Sequence, residues 1–346
     1  MKGFGFSLAP GSFLCENASG YFLISPRPVR ILRLNRSLFR LIEYIQTGGE
    51  LSDFVFQNSA VQTATLLKML LFLAADGYLT LERVAELESY PLVSIIIPVR
   101  DQADDLAECL RSLANLDYPE DRLEIIVVDD GSRKEVLNNI TSPDVRIIRQ
   151  EKSLGPAACR NIGAGNARGD ILAFIDADCI AGKNWLKEII PFFQAVKVGA
   201  VGGYVEGYYQ KNLLDRYESV ASSLNMGERI IIESKSTSGF YVPTANLMIK
   251  RDVFKATGGF KTGMYIGEDV DLCWRLRNLG FLLLYVPIGK VAHKHRNRLD
   301  RMLKRRFQYG TSEASLYRAH RDKKRFSPSL STPVFLSCRW PSPSFS

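Results

Sequence analysis

The residues best suited to chemistry in this chain are carboxylates placed directly after short apolar runs. Asp129-Asp130-Gly131-Ser132 follows the run 123–128, and Asp176-Ala177-Asp178 follows 171–175. A third run, 93–98, ends in Pro98-Val99-Arg100-Asp101. If these runs are parallel strands, their ends share one edge of a sheet. Asp129, Asp130, Asp176 and Asp178 then crowd together and raise one another's pKa. A bound cation removes that cost, and oxygen ligands beside room for phosphate suit Mg²⁺ or Mn²⁺. A DD or a DxD alone is ordinary loop chemistry; two on successive strand ends point to a metal-assisted site. A further acidic group, Glu268, Asp269 and Asp271, precedes Leu272, Leu276 and Leu279 at helical spacing. Acids are favoured in a first helical turn, so these residues are read as a helix start in any case.

The elements that must position these groups follow from hydrophobic periodicity. The β-branched run 93–98 reads as a buried parallel strand. Ala103, Leu106, Ala107, Leu110, Leu113 and Ala114 form one helical face. Strands are expected at 123–128, 145–148 and 171–175, with a helix over 155–167 and a later strand at 281–286. This alternation predicts an open α/β sheet, mostly parallel, with helices on both faces. Ligands of such sheets bind at the C-terminal ends of the strands. Before Pro91 the pattern differs. Residues 37–45 and 63–73 have helical spacing, broken by Gly48-Gly49 and Asp76-Gly77, and 78–81 reads as a short strand. Helix, turn, helix, strand is the outline of a small winged-helix module. Three regions are thus expected: 1–89, 90–325, and a disordered Ser/Pro-rich tail at 326–346.

The chain has 346 residues, 46% hydrophobic, which is ample for one large and one small domain. Its net charge of +8 is uneven: residues 290–325 hold 13 Lys/Arg against 3 Asp/Glu, or +10, leaving the remainder near −2. That segment suits nucleic acid, an anionic membrane face or a phosphorylated ligand. The six cysteines show no CxxC spacing, which fits a reduced, cytosolic chain. No signal peptide is evident, and the longest apolar stretch, interrupted by Lys68, is too short to span a bilayer. A cytoplasmic chain is expected, soluble or peripheral at the inner face of the membrane.

The ordered set VSIIIPVRD, EIIVVDDGS, GPAACRNIGAGNARGDILAFIDADC, TANLMIKRDVFKATGGF, GEDVDLCWRLRNLG and VAHKHR resembles the family 2 glycosyltransferases of the GT-A fold. The resemblance implies a metal-dependent, inverting transfer of a sugar from a nucleoside-diphosphate donor. Pro98 and Arg100 would flank the nucleoside; most relatives carry an aromatic and Asn where this chain has Arg100-Asp101, and guanidinium can also stack. Asp130 would accept from the base's ring N–H, with Asp129 nearby, and Arg160 would reach the diphosphate. Asp178 would bind metal, and Asp176 ribose or metal-bound water. Glu268-Asp269 matches the family's acidic pair before the acceptor, with Asp269 as the general base. His293, ahead of His295, would contact metal or phosphate. Arg301, Lys304, Arg305 and Arg306 are a solvated helix face, or close over the diphosphate, or touch anionic lipid. Thr244, Ala245 and Asn246 are expected on the acceptor side, Gly258-Gly259 as a turn, and Trp274 in packing.

The run RPVRILRLNRSLFRLIEYI with LLKMLLFLAADGYLTL is similar to PqqD-like modules that bind ribosomal precursor peptides. That fusion resembles the mycofactocin-system glycosyltransferases, which attach glucose units to a peptide-derived redox cofactor. Relatives continue past the region matching Gly310 with partly hydrophobic sequence, so the Ser/Pro tail reads as a truncation or frameshift. Other readings are a polysaccharide or glycolipid glycosyltransferase, an inactive transferase-like binding protein, and a DNA-binding protein. The intact DxD and Glu268-Asp269 oppose the inactive reading. Over 37–81 only Arg40 and Lys68 oppose Glu43, Glu50, Asp53 and Asp76, whereas a DNA-recognition helix is basic, so no nucleic-acid partner is expected.

Overall fold

A computed structural model describes residues 4–26, 28–49, 53–54, 62–133, 145–209, 211–233, 239–264, 266–294, 300, 307 and 316–320. His295, the cluster Arg301, Lys304, Arg305 and Arg306, and the tail 326–346 lie outside the described residues, as does most of the basic segment 290–325. The chain forms two compact units. One takes in Met1–Tyr90, Ile190–Val198 and Arg229–Ile232; the other takes in Pro91–Ile189, Gly199–Glu228 and Glu233–Ser346.

The first unit has the two expected helices, Arg36–Gln46 and Thr63–Ala75. Asn35 caps the first by accepting from Leu38 N at 2.8 Å. Leu41 and Ile42 of the first helix and Leu67, Leu70 and Leu71 of the second are buried, at 0–1% exposure. Four strands precede the helices where periodicity gave none: β1 (Gly5–Leu8), β2 (Phe13–Asn17), β3 (Gly20–Pro26) and β4 (Val29–Leu34). β2, β3 and β4 form an antiparallel meander, and β5 (Leu79–Arg83) pairs antiparallel with β1. The meander escapes a pattern search because Phe13, Val29 and Ile31 are apolar yet exposed, which blurs the alternation of a half-buried strand.

The second unit is built on seven neighbouring strands of one sheet, β6 (Val93–Val99), β7 (Leu123–Asp129), β8 (Val145–Arg149), β9 (Ile171–Phe174), β11 (Val198–Gly202), β14 (Leu247–Lys250) and β15 (Leu282–Tyr285); β13 (Ile231–Glu233) falls mostly in the first unit. The order of the seven is β15-β11-β14-β9-β6-β7-β8. β9, β6, β7 and β8 are parallel, while β14 runs antiparallel to both β9 and β11. Val93, Ile95, Ile96 and Ile97 of β6 are fully buried, each worth roughly 1.5–3 kcal/mol relative to exposure. A second, three-stranded sheet of β10 (Cys179–Ala181), β16 (Val291–His293) and β12 (Val205–Gly207) has β16 in the middle. Among the described residues no helix is long and apolar enough to cross a membrane.

The helix Pro156–Asn166 packs on β6 and β7. Gly163 permits the close approach: a Cβ there would lie 2.5 Å from Ile96 Cγ2. Arg160, one turn earlier on the same helix, is thereby brought to the C-terminal edge of the sheet.

Candidate active site

Because β9, β6 and β7 are parallel neighbours, Asp176-Ala177-Asp178, Pro98 to Asp101 and Asp129-Asp130 emerge on one edge, as the sequence implied. The register sets Val99 beside Asp129 and Ile96 beside Phe174. The side chains there do different things. Asp129 is fully buried and turns inward: Oδ1 accepts from Ser132 N at 2.9 Å and Ser132 Oγ at 2.5 Å, and Oδ2 lies 3.7 Å from Arg149 Nε. It builds the loop rather than lining the site, since a carboxylate at 0% exposure has no face left for a donor.

Asp130 is also buried and fully engaged. It accepts from Ser153 Oγ at 2.7 Å, Leu154 N at 2.6 Å, Gly155 N at 3.1 Å and Cys159 Sγ at 3.3 Å. Burial alone would raise its pKa; the Leu154 amide, then the Ser153 hydroxyl and the remaining donors, outweigh this and hold it below the usual carboxylate range. Gly131, at φ 67°, makes the turn possible, and a Cβ there would sit 2.9 Å from the Lys152 carbonyl carbon. Arg100 is exposed and donates to Ser153 Oγ at 2.8 Å, and Pro98 is half-buried.

Arg160 joins the strand ends to the helix Glu268–Asn278. Its Nη2 meets Asp176 Oδ1 at 2.6 Å and its Nη1 meets Glu268 Oε1 at 2.9 Å, at only 4% side-chain exposure. The Phe260 ring lies 5.7 Å from the guanidinium carbon. The expected diphosphate contact thus becomes a tie between two acidic groups 92 positions apart in sequence (176 and 268).

Gly267, left-handed at φ 83°, starts that helix. Glu268 is buried against Arg160, whereas Asp269 is half-buried with one oxygen accepting from Val270 N at 2.8 Å. Burial, and next the neighbouring Glu268 charge, push the Asp269 carboxyl up to about 7. A carboxyl near neutral pKa is suited to proton transfer at physiological pH. Asp271 points elsewhere, pairing with Arg275 at 2.6 Å and with His320 Nε2 at 2.8 Å. Sequence reasoning missed His320.

Asp178 and His293 meet across the small sheet. Cys179 and His293 are cross-strand partners, which leaves His293 Nε2 3.6 Å from Asp178 Oδ1. Burial raises the Asp178 carboxyl, and His293 partly offsets this. Asp178, Cys179 and His293 place one potential ligand atom each within 4.8 Å of one another. Burial holds the Cys179 thiol well above its ordinary pKa, so carboxylate and imidazole are the effective donors. This oxygen-and-nitrogen set fits a divalent cation.

Three further expectations resolve simply. Gly258 and Gly259 form a left-handed helix end at φ 78° and 73°. Trp274 is 1% exposed and packs edge-on to His320 at 5.2 Å. Thr244, Ala245 and Asn246 are buried; Asn246 accepts from Trp185 Nε1 at 2.7 Å and donates to Gly289 O at 2.8 Å. Asn246 is therefore scaffold.

The Glycosyl transferase family 2 profile matches residues 94–258, the stretch that carries every strand-end motif described above. This domain belongs to that family. Pre-mycofactocin glycosyltransferase of Mycobacterium tuberculosis (strain ATCC 25618 / H37Rv) is 33% identical over 311 residues, 88% of this chain and 61% of the relative. Glycosyltransferase AglE of Haloferax volcanii is 29% identical over 234 residues, 66% of this chain and 74% of the relative. The chain thus spans about three fifths of the length of the first of these relatives. A mannosyltransferase from Pyrobaculum calidifontis, solved with GDP-Man and Mn²⁺, shares the fold at a TM-score of 0.54 and 22% identity, over 73% of this chain and 71% of that one. The family 2 domain has the GT-A fold.

Proposed function

We propose that this chain is a metal-dependent, inverting glycosyltransferase that moves a sugar from a nucleoside-diphosphate donor to an acceptor hydroxyl. The observation that carries the reading is the Arg160 bridge. It links Asp176, beside the Asp178–His293 pair, to Glu268, beside the raised carboxyl of Asp269. Donor-side and acceptor-side acids thereby face one site.

Asp178 and His293 would hold Mg²⁺ or Mn²⁺, with Asp176 on the ribose or a metal-bound water. When bound, the cation neutralises the departing diphosphate. Asp269 takes the proton of the acceptor hydroxyl as its oxygen attacks the anomeric carbon and the bond to phosphate breaks on the opposite face, which inverts the centre. Glu268, fixed by Arg160, keeps the Asp269 carboxyl basic enough for that step. Pro98 and Arg100 flank the nucleoside, and Asp130 shapes the 153–155 loop against which it lies.

The name of the M. tuberculosis relative supports a pre-mycofactocin acceptor; the resemblance drawn from the sequence makes that acceptor peptide-derived and glucose the sugar to try first. The first unit, resembling PqqD-like modules, would recognise that peptide. The direct test is a screen of nucleoside-diphosphate sugars with Mn²⁺ or Mg²⁺, following nucleoside diphosphate release with and without acceptor peptide. One donor turned over in a metal-dependent way is expected; no release from any donor overturns the assignment.

A further inference from the structure

Lys294 follows His293 at the end of β16, and it holds that strand end from two directions. Its backbone N–H donates to Asp178 O at 2.9 Å, tying the strand to the DxD turn. Its side chain, 8% exposed, crosses to the helix Ala103–Leu113, where Nζ lies 2.8 Å from Asp105 Oδ1 and 2.9 Å from Glu108 Oε2. Asp105 and Glu108 are three residues apart, so they share a helical face and receive one ammonium together. The Tyr208 ring lies 5.5 Å from the same nitrogen, and Tyr208 N–H donates to His293 O at 2.9 Å. The peptide unit that joins His293 to Lys294 is thus held at both of its polar groups, its carbonyl by Tyr208 N–H and its N–H by Asp178 O.

We propose that Lys294 is a positioning residue for the cation site: its ammonium pins the end of β16 to the helix Ala103–Leu113, and this keeps His293 Nε2 within 3.6 Å of Asp178 Oδ1. The inference rests on the reading of Asp178 and His293 as metal ligands. β16 is only three residues long and sits in a sheet of three short strands. The ladder pairs His293 with Cys179 and Gly207 and ends there, and an ion is bound tightly only by donors already in place, so the side-chain tie at Lys294 adds a second anchor just where the ladder stops. Lys294 supplies no ligand atom; it supplies the restraint.

The sign of the effect separates this role from simple electrostatics. Removing a positive charge next to a cation site strengthens cation binding if charge is all that matters. Removing a positioning tie weakens it. The test is therefore Mn²⁺ binding to the full chain without substrate, read by electron paramagnetic resonance of free Mn²⁺. Lys294→Met keeps the length and the packing of the stem and should bind Mn²⁺ about tenfold or more weakly. Lys294→Arg restores the charge and should recover most of the affinity. If Lys294→Met fails to fold, as read by its melting curve, Lys294→Gln keeps a donor for Asp105 and carries the same expectation. Unchanged or tighter Mn²⁺ binding in the Met or Gln variant overturns the positioning role, as does an Arg variant no better than Met. Asp178→Ala separates the two claims. If it binds Mn²⁺ like the wild type, the metal reading itself fails. If it loses Mn²⁺ while Lys294→Met does not, only the positioning role fails.

Discussion

The strand-end loop around Asp130 and the first helical turn around Asp269 present the same functional group at the same edge of the sheet, with opposite consequences. Asp130 is surrounded by donors from Ser153, Leu154, Gly155 and Cys159, and its ionised form is favoured despite burial. Asp269 has one backbone donor and a like charge beside it, so its ionised form is disfavoured. Residue type is the same and Asp130 is the less exposed of the two, so exposure does not set the direction; the difference lies in what faces the oxygens. A carboxylate satisfied by its own chain shapes a site, and one left short of partners is able to exchange a proton with a substrate.

The contrast assigns binding to the strand ends and proton transfer to the helix turn, and each part can be broken separately. The largest effect is expected at the metal. Chelation by EDTA, or Asp178→Ala, should abolish turnover while the melting temperature stays close to that of the wild type. Full turnover in EDTA would remove the strand ends from the chemistry. Next is Asp269→Asn, which should lose roughly 10²-fold or more in kcat, the contribution of a general base. It should still bind nucleoside diphosphate, as calorimetry would report. Loss of nucleotide binding in that variant would move Asp269 to the donor side and erase the distinction.

A smaller effect is expected with pH. A base with its carboxyl near 7 must be ionised to act, so kcat/KM should fall about tenfold per pH unit below about 7 and level off above it. The residual activity of Asp269→Asn should lack this limb. A wild-type profile flat from pH 5.5 to 8 would show that no group of raised pKa carries the proton.

How far the sequence revealed this site follows from the length of the elements involved. The strands β6, β7 and β9 are continuous apolar runs with their acids directly behind them, so the shared edge and its carboxylates could be read from residue order alone. The helix start at Glu268 was legible for the same reason. What could not be read depends on tertiary pairing. β10 and β16 are three residues each, too short for periodicity, yet their ladder is what sets His293 beside Asp178. The inward turn of Asp129, the Arg160 bridge and the Asp271–His320 pair at 2.8 Å depend on side-chain direction across long sequence separations. No local pattern encodes them. The first unit shows the same limit: its helices are periodic and were found, while β2, β3 and β4 expose apolar residues on one face and were not.

The smallest and most discriminating effect is on stability, where the two carboxyls should respond with opposite signs to the same change. Asp130 is held below the ordinary carboxylate range, so its ionised form stabilises the fold above pH 4 and that contribution is lost only as pH falls further. Asp130→Asn replaces an acceptor by an amide that turns its NH₂ toward donors from the 153–155 loop. It should cost about 1–3 kcal/mol across pH 5 to 8. Asp269 is raised from 3.8 to about 7, so the native state binds the extra proton between those values. Stability is greatest with that proton bound and falls as pH rises through the window, reaching its full penalty above about 7. Each pKa unit is worth about 1.36 kcal/mol, and partial exposure of the side chain reduces what is realised. Asp269→Asn removes the ionisation and keeps the acceptor for Val270 N. It should therefore raise stability at pH 8 by about 1–2 kcal/mol, with the gain shrinking toward pH 5. Urea unfolding of the two variants at pH 5 and pH 8 checks both signs at once. If Asp269→Asn destabilises at pH 8 as Asp130→Asn does, the helix-turn carboxyl is satisfied like its strand-end counterpart, and burial beside Glu268 has not made it a base.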